Sequence, residues 1–314
     1  GKVVMLANVL RYSVAINKIK ELIDAGKLGQ VVSIDYTENV GFWHMAHSYV
    51  RGNWRRVEDS TPMILTKCCH DFDILLYFIG ARCKSVSSIG SLAHFKKENA
   101  PKGATDRCVT CKCEADCPYS AKKIYLDLWK ADYVRLAGIS WPMNALVEEK
   151  FINEDTLTEA IKKGPYGKCV YACDNDVVDN QTVIMHFENG VNATLKMEAF
   201  VKHGGRTIRI FGSKGELVYH AESHSIVLKR FFGEDEKWDC REIEEVRNPL
   251  SKKPDQKMLD DFFDCISSAE DRHVNHDFME SHFIALAAEE SRLGEGQAID
   301  IFKFRNSDGI IKQI

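Results

Sequence analysis

A histidine and two carboxylates stand at the start of an apolar run near residue 70. Residues 65–76 read LTKCCHDFDILL, and His70 and Asp73 are three positions apart. On a helix this spacing puts both side chains on one face, so Asp73 could fix the orientation of the imidazole and raise its basicity. A histidine that titrates near neutral pH suits general acid/base catalysis. The structural alternative is a hydrogen-bonded histidine in the core.

Four cysteines lie within ten residues of a polar segment: Cys108, Cys111, Cys113 and Cys117. Their spacing, C-x2-C-x-C-x3-C, permits three or four thiolates to converge on one Zn²⁺, with His94 as a further ligand. We therefore predict a structural zinc site. Free thiols or a disulfide in a small loop are the alternatives, and an iron–sulfur cluster fits less well because ferredoxin sequences have two residues between the second and third cysteines.

A polar, aromatic segment at residues 43–56 has no clear period and is predicted to be a loop. Loops on a rigid scaffold commonly carry substrate contacts, and this one could hold a polyol or a carboxylate by hydrogen bonding and stacking. The candidate side chains are His47, Arg51, Trp54 and Arg55. The alternative is a surface loop whose aromatic residues pack beneath it and whose arginines form ion pairs.

Several short segments match one known family in the same order along the chain. They are Asn8-Val9-Leu10-Arg11-Tyr12, Gly26-Lys27-Leu28-Gly29, His70-Asp71-Phe72-Asp73, residues 210–217 (IFGSKGEL) and residues 280–292 (ESHFIALAAEESR). With these segments the chain resembles the Gfo/Idh/MocA oxidoreductases, the family of glucose-fructose oxidoreductase and inositol dehydrogenase. The likeness spans nearly the whole sequence.

The resemblance implies an NAD- or NADP-dependent enzyme that moves hydride to or from a secondary alcohol of a sugar or cyclitol. In that family the histidine matched by His70 is the usual acid/base, and Asp73 would orient it. The family's catalytic lysine lies in a Glu-Lys-Pro segment that this sequence lacks, so Lys67 is a substitute suggested only by its position. Thr66 stands where many relatives have an aspartate, which favours a rival hypothesis, a non-enzymatic binding or assembly module.

The resemblance also extends the list of candidate substrate contacts. Arg11 and Tyr12 belong to the family's Asn-x-x-Arg-aromatic segment. Asp176 and Asp179 precede a predicted strand in a loop that the family often brings toward the substrate. Acidic residues at the entry to a strand are also ordinary turn chemistry, so this alternative stays open.

Residues 3–10 form an apolar run typical of a parallel strand covered on both faces. No G-x-G-x-x-G sequence follows a strand, so no phosphate loop for a dinucleotide is present. By the resemblance, residues 1–28 are the remnant of a nucleotide-binding domain, and residues 29–314 are the substrate-binding and catalytic domain. We expect the C-terminal part of a larger enzyme, inactive alone, with a cysteine-rich insertion at about residues 96–167.

The remaining pattern predicts an α+β fold, a large mostly antiparallel sheet with helices on one face beside the Rossmann remnant. Alternating residues and turn sequences indicate strands at 31–36, 85–91 and 182–230, with turns at Asn189-Gly190 and Ser213-Lys214-Gly215. Helices are predicted at 15–25, and at 258–266 and 278–286, where they would cover the sheet. In the resembling family such sheets pack face to face in dimers. The alternating apolar rows at 183–187 and 193–197 could supply that surface or could face the chain's own helices.

Composition limits the classes of partner. The chain has 314 residues, 42 basic and 46 acidic, and a net charge of -4 without long runs of one sign, which argues against nucleic acid and membrane surfaces. Its apolar runs are shorter than the roughly 18 to 20 residues that span a bilayer. Eleven cysteines, an odd number, indicate a reducing compartment, and we expect a cytoplasmic protein.

Overall fold

The computed structural model describes residues 4–131, 140–243, 253–267 and 279–307. Nine strands within these ranges form one sheet. They are β1 (Val31–Asn39), β2 (Cys83–Ser91), β3 (Asn180–Phe187), β4 (Asn192–Glu198), β5 (Gly205–Gly212), β6 (Gly215–His220), β7 (Ser225–Arg230), β8 (Glu236–Asp239) and β9 (Ile299–Asp300). Their order across the sheet is β8-β7-β6-β5-β1-β4-β3-β2-β9.

The predicted α+β class and the mostly antiparallel sheet are confirmed. The exception is the parallel pair β1 and β4, in which Ser33 lies opposite Asn192. The turn between β5 and β6 has the predicted position, because Gly212 pairs with Gly215 across Ser213-Lys214. The turn at Asn189-Gly190 is one residue longer than the predicted two, since the amide of Phe187 donates to the carbonyl of Val191.

Six α-helices longer than three residues accompany the sheet in the described ranges. They are α1 (Val14–Asp24), α2 (Met63–Ile79), α3 (Glu154–Lys163), α4 (Pro254–Ser267), α5 (Glu280–Leu293) and α6 (Ile301–Arg305). Helix α2 follows Pro62 and ends at Gly80, whose φ of 66° is the left-handed conformation that glycine adopts at low cost. Within those ranges, no helix has the length and apolar character required to cross a bilayer.

Helices α2 and α5 pack on each other and on one face of the sheet, α2 over β1 and β4 and α5 over β2. The alternating apolar rows of β3 and β4 are buried on that face, where Val183, Met185 and Leu195 have no exposed surface. The prediction that these rows form a dimer surface is therefore wrong, and the alternative that they face the chain's own helices is correct. Burial of each such side chain stabilises the fold by about 1.5 to 3 kcal/mol.

Helix α4 lies where the sequence predicts it but does not cover the sheet. None of its residues is buried, and Leu259, Phe263 and Ile266 are each about half exposed. Its contacts are with the short 3-10 turn Val9–Tyr12, where the Tyr12 hydroxyl donates to Asp261 at 2.8 Å. The apolar period thus predicted the helix but not its neighbour.

The predicted N-terminal strand is absent from the described residues. Residues 4–8 have no regular secondary structure, Val9–Tyr12 is a 3-10 turn, and Val4 is 68% exposed. Val3 lies outside the described residues. A strand requires a neighbour to accept its backbone hydrogen bonds, and no described segment pairs with residues 4–10.

The predicted insertion contributes no strand to the sheet in the part that is described, which excludes residues 132–139. It contains short 3-10 turns, a π-helical turn at Lys122–Asp127 and helix α3, and its ends are tied together. The amide of Cys169 donates to the carbonyl of Asp106, and the Arg107 guanidinium donates to the carbonyls of Ile161 and Gly164.

Candidate functional site

His70 lies on helix α2, partly buried, with its Nδ1 atom enclosed and without a hydrogen-bond partner in the described part of the chain. Burial lowers the pKa of His70 below the ordinary value, since a charged imidazole is costly there. The carboxylates of Asp71 and Asp73 oppose this effect, whereas Arg206 and Lys67 add to it. The imidazole is therefore neutral near pH 7 and able to accept a proton.

Beneath His70 lies a buried network of charges that joins helix α2 to strands β1 and β5. Lys67 Nζ is 3.1 Å from Glu38 Oε1, and a terminal nitrogen of Arg206 is 3.1 Å from Glu38 Oε2. The Nε of Arg206 donates to Asp71 Oδ1 at 2.8 Å, and the hydroxyl of Tyr36 donates to the same oxygen at 2.8 Å. Two cations thus compensate two carboxylates that are 1% and 0% exposed.

Asp73 does not form the predicted hydrogen bond to His70. Its two oxygens accept a bidentate pair of bonds from Arg11, both at 2.7 Å, and a further bond from the Asn8 amide at 2.9 Å. A guanidinium donates two parallel hydrogen bonds to a carboxylate, whereas an imidazole nitrogen donates only one, so Asp73 pairs with Arg11. Asp73 acts on His70 only through its charge, which raises the pKa of the imidazole.

Glu38 gives this network a pH dependence. Burial, with the neighbouring charge of Asp71, raises the pKa of Glu38 from 4.5 to about 7. Between those two pH values the folded protein holds a proton that the unfolded chain releases, so the contribution of Glu38 to stability falls as the pH rises.

We expect the stability difference between the parent and Glu38→Gln to shift against the parent by up to about 2 kcal/mol from roughly pH 5 to pH 7. Urea unfolding at both pH values measures it, and the paired comparison cancels the titration of the buried histidines. A difference that is constant with pH would show that Glu38 stays ionised throughout.

Residues 20–275 match the family model described as "Oxidoreductase family, C-terminal alpha/beta domain" of the Gfo/Idh/MocA group. The chain belongs to the Gfo/Idh/MocA oxidoreductase family. Among curated proteins, the putative oxidoreductase YteT of Bacillus subtilis is 29% identical over 175 residues, which are 52% of this chain and 40% of that protein.

Solved structures of several oxidoreductases share the fold. An oxidoreductase domain protein from Kribbella flavida aligns over 94% of this chain and 64% of its own, with a TM-score of 0.59 and 15% identity. Levoglucosan dehydrogenase with NADH and levoglucosan gives a TM-score of 0.57 at 14% identity, over 94% of this chain and 65% of its own. An Agrobacterium radiobacter oxidoreductase with NAD+, L-tartaric acid and magnesium gives a TM-score of 0.55 at 13% identity, over 95% of this chain and 65% of its own. The chain spans less than two thirds of the length of these proteins.

The segment at residues 43–56 is mostly helical instead of the predicted loop. Phe42–His44 is a short α-turn and Met45–Arg51 is π-helical, and wider turns of this kind hide a helical period in the sequence. His47 is 3% exposed, accepts or donates a 2.9 Å hydrogen bond with the Tyr125 hydroxyl and stacks on Tyr166. Burial lowers the pKa of His47 to about 4, so it is a neutral core residue.

Arg51 is enclosed and has structural contacts. It is 2% exposed and donates at 2.7 Å to the carbonyls of Lys168 and Tyr119, which anchors the middle of the insertion and its C-terminal boundary to the domain. Trp54 and Arg55 are nearer the surface. Trp54 is half exposed, and Arg55 forms a bidentate pair with Asp174.

The carboxylates of the two candidate aspartates accept hydrogen bonds from backbone amides that are distant in the sequence. Asp176 accepts a 2.8 Å bond from the amide of Val57. Asp179 has no exposed surface and accepts bonds from the amides of Ala93 and His94 and from the side chain of Asn180, at 2.7 to 2.9 Å. These bonds are structural and join distant loops, so they differ from the local hydrogen bonds of the turn-chemistry alternative.

Replacing Asp179 with alanine should lower the free energy of unfolding by about 3 kcal/mol, because two backbone amides lose the buried, charged carboxylate that accepts their hydrogen bonds. Asp174→Ala is the matched control, since that carboxylate is half exposed in its pair with Arg55 and its loss should cost less than about 1 kcal/mol. Urea denaturation compares the two. If the stability of Asp179→Ala equals that of the parent, the structural role is wrong and Asp179 remains a candidate substrate contact.

The cysteine-rich segment surrounds a cavity of about 20 Å³, which is large enough for one water molecule. Cys108, Cys111, Cys113 and Cys117 line it together with Cys169, which the sequence analysis did not include. In the described ranges, no disulfide joins any of the eleven cysteines. In the described ranges, no three or more His, Cys, Asp or Glu side chains are arranged to hold a metal ion, so the zinc prediction is not supported.

The contacts of His94 do not agree with its predicted role as a zinc ligand. Its Nε2 atom lies 3.0 Å from the Tyr171 hydroxyl, and its ring packs among Phe95, Tyr119 and Phe200. Aromatic packing therefore accounts for this histidine.

Two residues of the charge network were not predicted from the sequence. Glu38 and Arg206 lie on strands, where charged residues usually face solvent. A signal for Glu38 was present, because it continues the inward-facing alternation of Ile34 and Tyr36. An acid at an inward position needs a buried partner, and the sequence did not identify Arg206 as that partner.

Proposed function

We propose that this chain supplies the catalytic and substrate-binding part of an NAD- or NADP-dependent oxidoreductase that acts on a secondary alcohol of a sugar or cyclitol. The observation that carries the proposal is His70, a neutral, partly exposed imidazole on a rigid helix beside the ammonium of Lys67. Family membership supports the reaction class. A structural neighbour that binds NADH and levoglucosan supports the substrate class.

The described residues do not fit a dinucleotide. They contain no unit of parallel strand, glycine-rich loop and helix that would place backbone amides around a pyrophosphate. We therefore assign the cofactor to a nucleotide-binding domain of a longer natural protein, with residues 1–28 as the link to it. The residues of this chain then handle the substrate and its proton.

In this proposal His70 accepts the proton of the substrate hydroxyl during oxidation and returns it during reduction. Its lowered pKa keeps the base form populated near pH 7. The ammonium of Lys67 would stabilise negative charge that develops on the substrate oxygen. Its pairing with Glu38 at 3.1 Å limits its motion and fixes the position of that charge.

A test is to assay the natural full-length protein for reduction of NAD+ and NADP+ with a panel of pyranoses, anhydrosugars and cyclitols, and for the reverse reaction with the corresponding ketones. The absorbance of the reduced nicotinamide reports turnover. We expect turnover with at least one cyclic secondary alcohol. No turnover in either direction with the whole panel would contradict the proposal.

One observation favours the second candidate, a binding module without catalysis. Thr66, at the position of the family's aspartate, directs its hydroxyl to the backbone carbonyl of Met63 at 3.2 Å and supplies no acid. A binding module would retain affinity for a sugar while the full-length protein showed no redox activity.

A further inference from the structure

Two cysteines of the insertion lie at the two ends of one tight turn. Residues Cys108–Thr110 form a 3-10 turn, and the amide of Cys111 donates to the carbonyl of Cys108 at 3.2 Å. A turn closed in this way holds its first and fourth Cα atoms within about 7 Å. A disulfide joins Cα atoms that are about 4.4 to 6.8 Å apart. The backbone therefore already holds this pair near the separation that a disulfide requires, and both residues line the same cavity.

The sulfur of Cys108 accepts hydrogen bonds from two N–H donors. One is a terminal nitrogen of the Arg51 guanidinium at 3.5 Å, and the other is the amide of Ala121 at the same distance. Arg51 also lines the cavity, and its second terminal nitrogen, Nη1, is buried without a hydrogen-bond partner among the described residues. A guanidinium beside a sulfur favours the thiolate, which is the reactive form of cysteine. The structure thus surrounds Cys108 with donors suited to a negatively charged sulfur.

The cysteines of the cavity differ in their access to solvent and in their reactivity. Cys108 is 6% exposed, whereas Cys111 is partly exposed. Burial raises the pKa of the Cys117 and Cys169 thiols, so both stay protonated near pH 7. A reagent from solution therefore meets Cys111 first, and Cys108 is the neighbouring sulfur that is prepared to react afterwards.

We propose that Cys108 and Cys111 form a thiol–disulfide exchange site whose substrate is a low-molecular-weight disulfide of the glutathione type. Cys111 loses its proton to solvent and attacks one sulfur of the substrate, so that a bond from Cys111 to that sulfur forms, the substrate S–S bond breaks and one thiolate leaves. Cys108 then attacks the sulfur of Cys111, and the second thiolate leaves. The leaving thiolates take up the protons that the cysteines lost. The cysteine pair is oxidised by two electrons, and the substrate is reduced to two thiols.

The exchange acts on a contact between the insertion and the rest of the domain. It replaces a sulfur that can carry a charge with a neutral disulfide sulfur beside Arg51, which also donates to the carbonyls of Lys168 and Tyr119. The inference goes beyond the proposed function and does not use His70, so either can fail without the other.

Peptide mapping after oxidation tests the proposal. Trypsin cleaves the chain into the peptides 108–112 and 113–122, and the first contains Cys108 and Cys111 alone. The folded chain is reduced, freed of reductant and incubated with oxidised glutathione at neutral pH, and the remaining thiols are blocked with iodoacetamide. By mass spectrometry we expect the peptide 108–112 without alkylation and lighter by two hydrogen atoms. Reduced glutathione in excess should restore the alkylated form.

The peptide 113–122 is a control within the same molecule. The amide of Cys117 donates to the carbonyl of Cys113 at 3.1 Å, so the backbone also holds this pair close together. However, burial raises the pKa of Cys117, and the Cys113 thiol donates to the carbonyl of Lys102. We expect the peptide 108–112 to be oxidised about tenfold faster or more. Equal rates would show that spacing alone decides the reaction and would overturn the role of the Cys108 environment.

Three variants separate the two steps. Cys108→Ser should stop at the mixed disulfide, so that the peptide 108–112 carries one glutathione on Cys111. Cys111→Ser should give neither a disulfide nor an adduct on Cys108 in the same time. Cys169→Ser is the matched control, because Cys169 lines the same cavity and should leave the oxidation rate of the pair unchanged.

The same experiment identifies the results that contradict the proposal. They are alkylation of both Cys108 and Cys111 after oxidation of the folded chain, a disulfide that joins the peptide 108–112 to another peptide, and a glutathione adduct on Cys108 in Cys111→Ser. Thiols that react only after a chelator is added would mean that the cluster holds a metal ion, and this too would overturn the exchange site.

Discussion

Replacement of His70 by alanine is expected to lower the turnover of the natural full-length protein by about 100-fold or more, as expected when a general acid/base is removed. The fold should persist, because His70 is only partly buried and its Nδ1 atom has no partner within the described ranges. Initial rates with a substrate found in the panel measure the effect, and circular dichroism checks the fold.

His186→Ala is the matched control for this experiment. His186 is exposed on strand β3 and bonds Asn192 on the neighbouring strand, on the sheet face opposite the helices. Its loss should leave turnover unchanged. If His70→Ala stays within a few-fold of the parent, the structural alternative for His70 is correct.

Removing Arg206 should cause the largest loss of stability among the single substitutions considered. Its guanidinium contacts both Glu38 and Asp71, so Arg206→Ala leaves these two buried acids with only Lys67 and the Tyr36 hydroxyl. Breaking a buried pair by removing one partner typically costs about 3 to 5 kcal/mol. We expect a loss in that range in urea unfolding at neutral pH.

Strand β5 offers its own control, Arg209. This arginine is three residues from Arg206 and pairs with Glu216 with about half of its side chain exposed. Arg209→Ala should cost less than about 1 kcal/mol because solvent screens an exposed pair. Equal losses for the two variants would mean that the network under His70 is hydrated and contributes no more than a surface ion pair.

The sequence predicts strands and helices well where an apolar period is long. The alternation at residues 183–187 and 193–197 gave two strands, and the signal at 258–266 gave a helix. Neither pattern indicates which surface of the protein the apolar residues contact. The rows assigned to a dimer face are covered by α2 and α5, and the helix assigned to the sheet contacts Val9–Tyr12 instead.

For the site as well, the sequence predicted a residue but not the residues that surround it. His70 was identified because a histidine in an apolar helix is unusual, but its environment depends on residues far along the chain. Arg206 is more than 130 residues from His70, and Cys169 is more than 50 residues from the cysteine cluster it joins. Local spacing contains no information on such pairings. It suggested Asp73 as the partner of His70, whereas the Asp73 carboxylate accepts two hydrogen bonds from the Arg11 guanidinium.

The position of β1 in the sheet affects how the protein forms during synthesis. β1 is the first strand of this sheet to be made, yet both of its neighbours, β4 and β5, begin about 150 residues or more later, beyond the insertion. At roughly 5 to 20 residues per second, the ribosome needs about 8 to 30 s to supply the first of them. During that interval β1 is a lone strand with both edges open and Ile34 and Tyr36 uncovered, a species prone to aggregation and suited to chaperone binding.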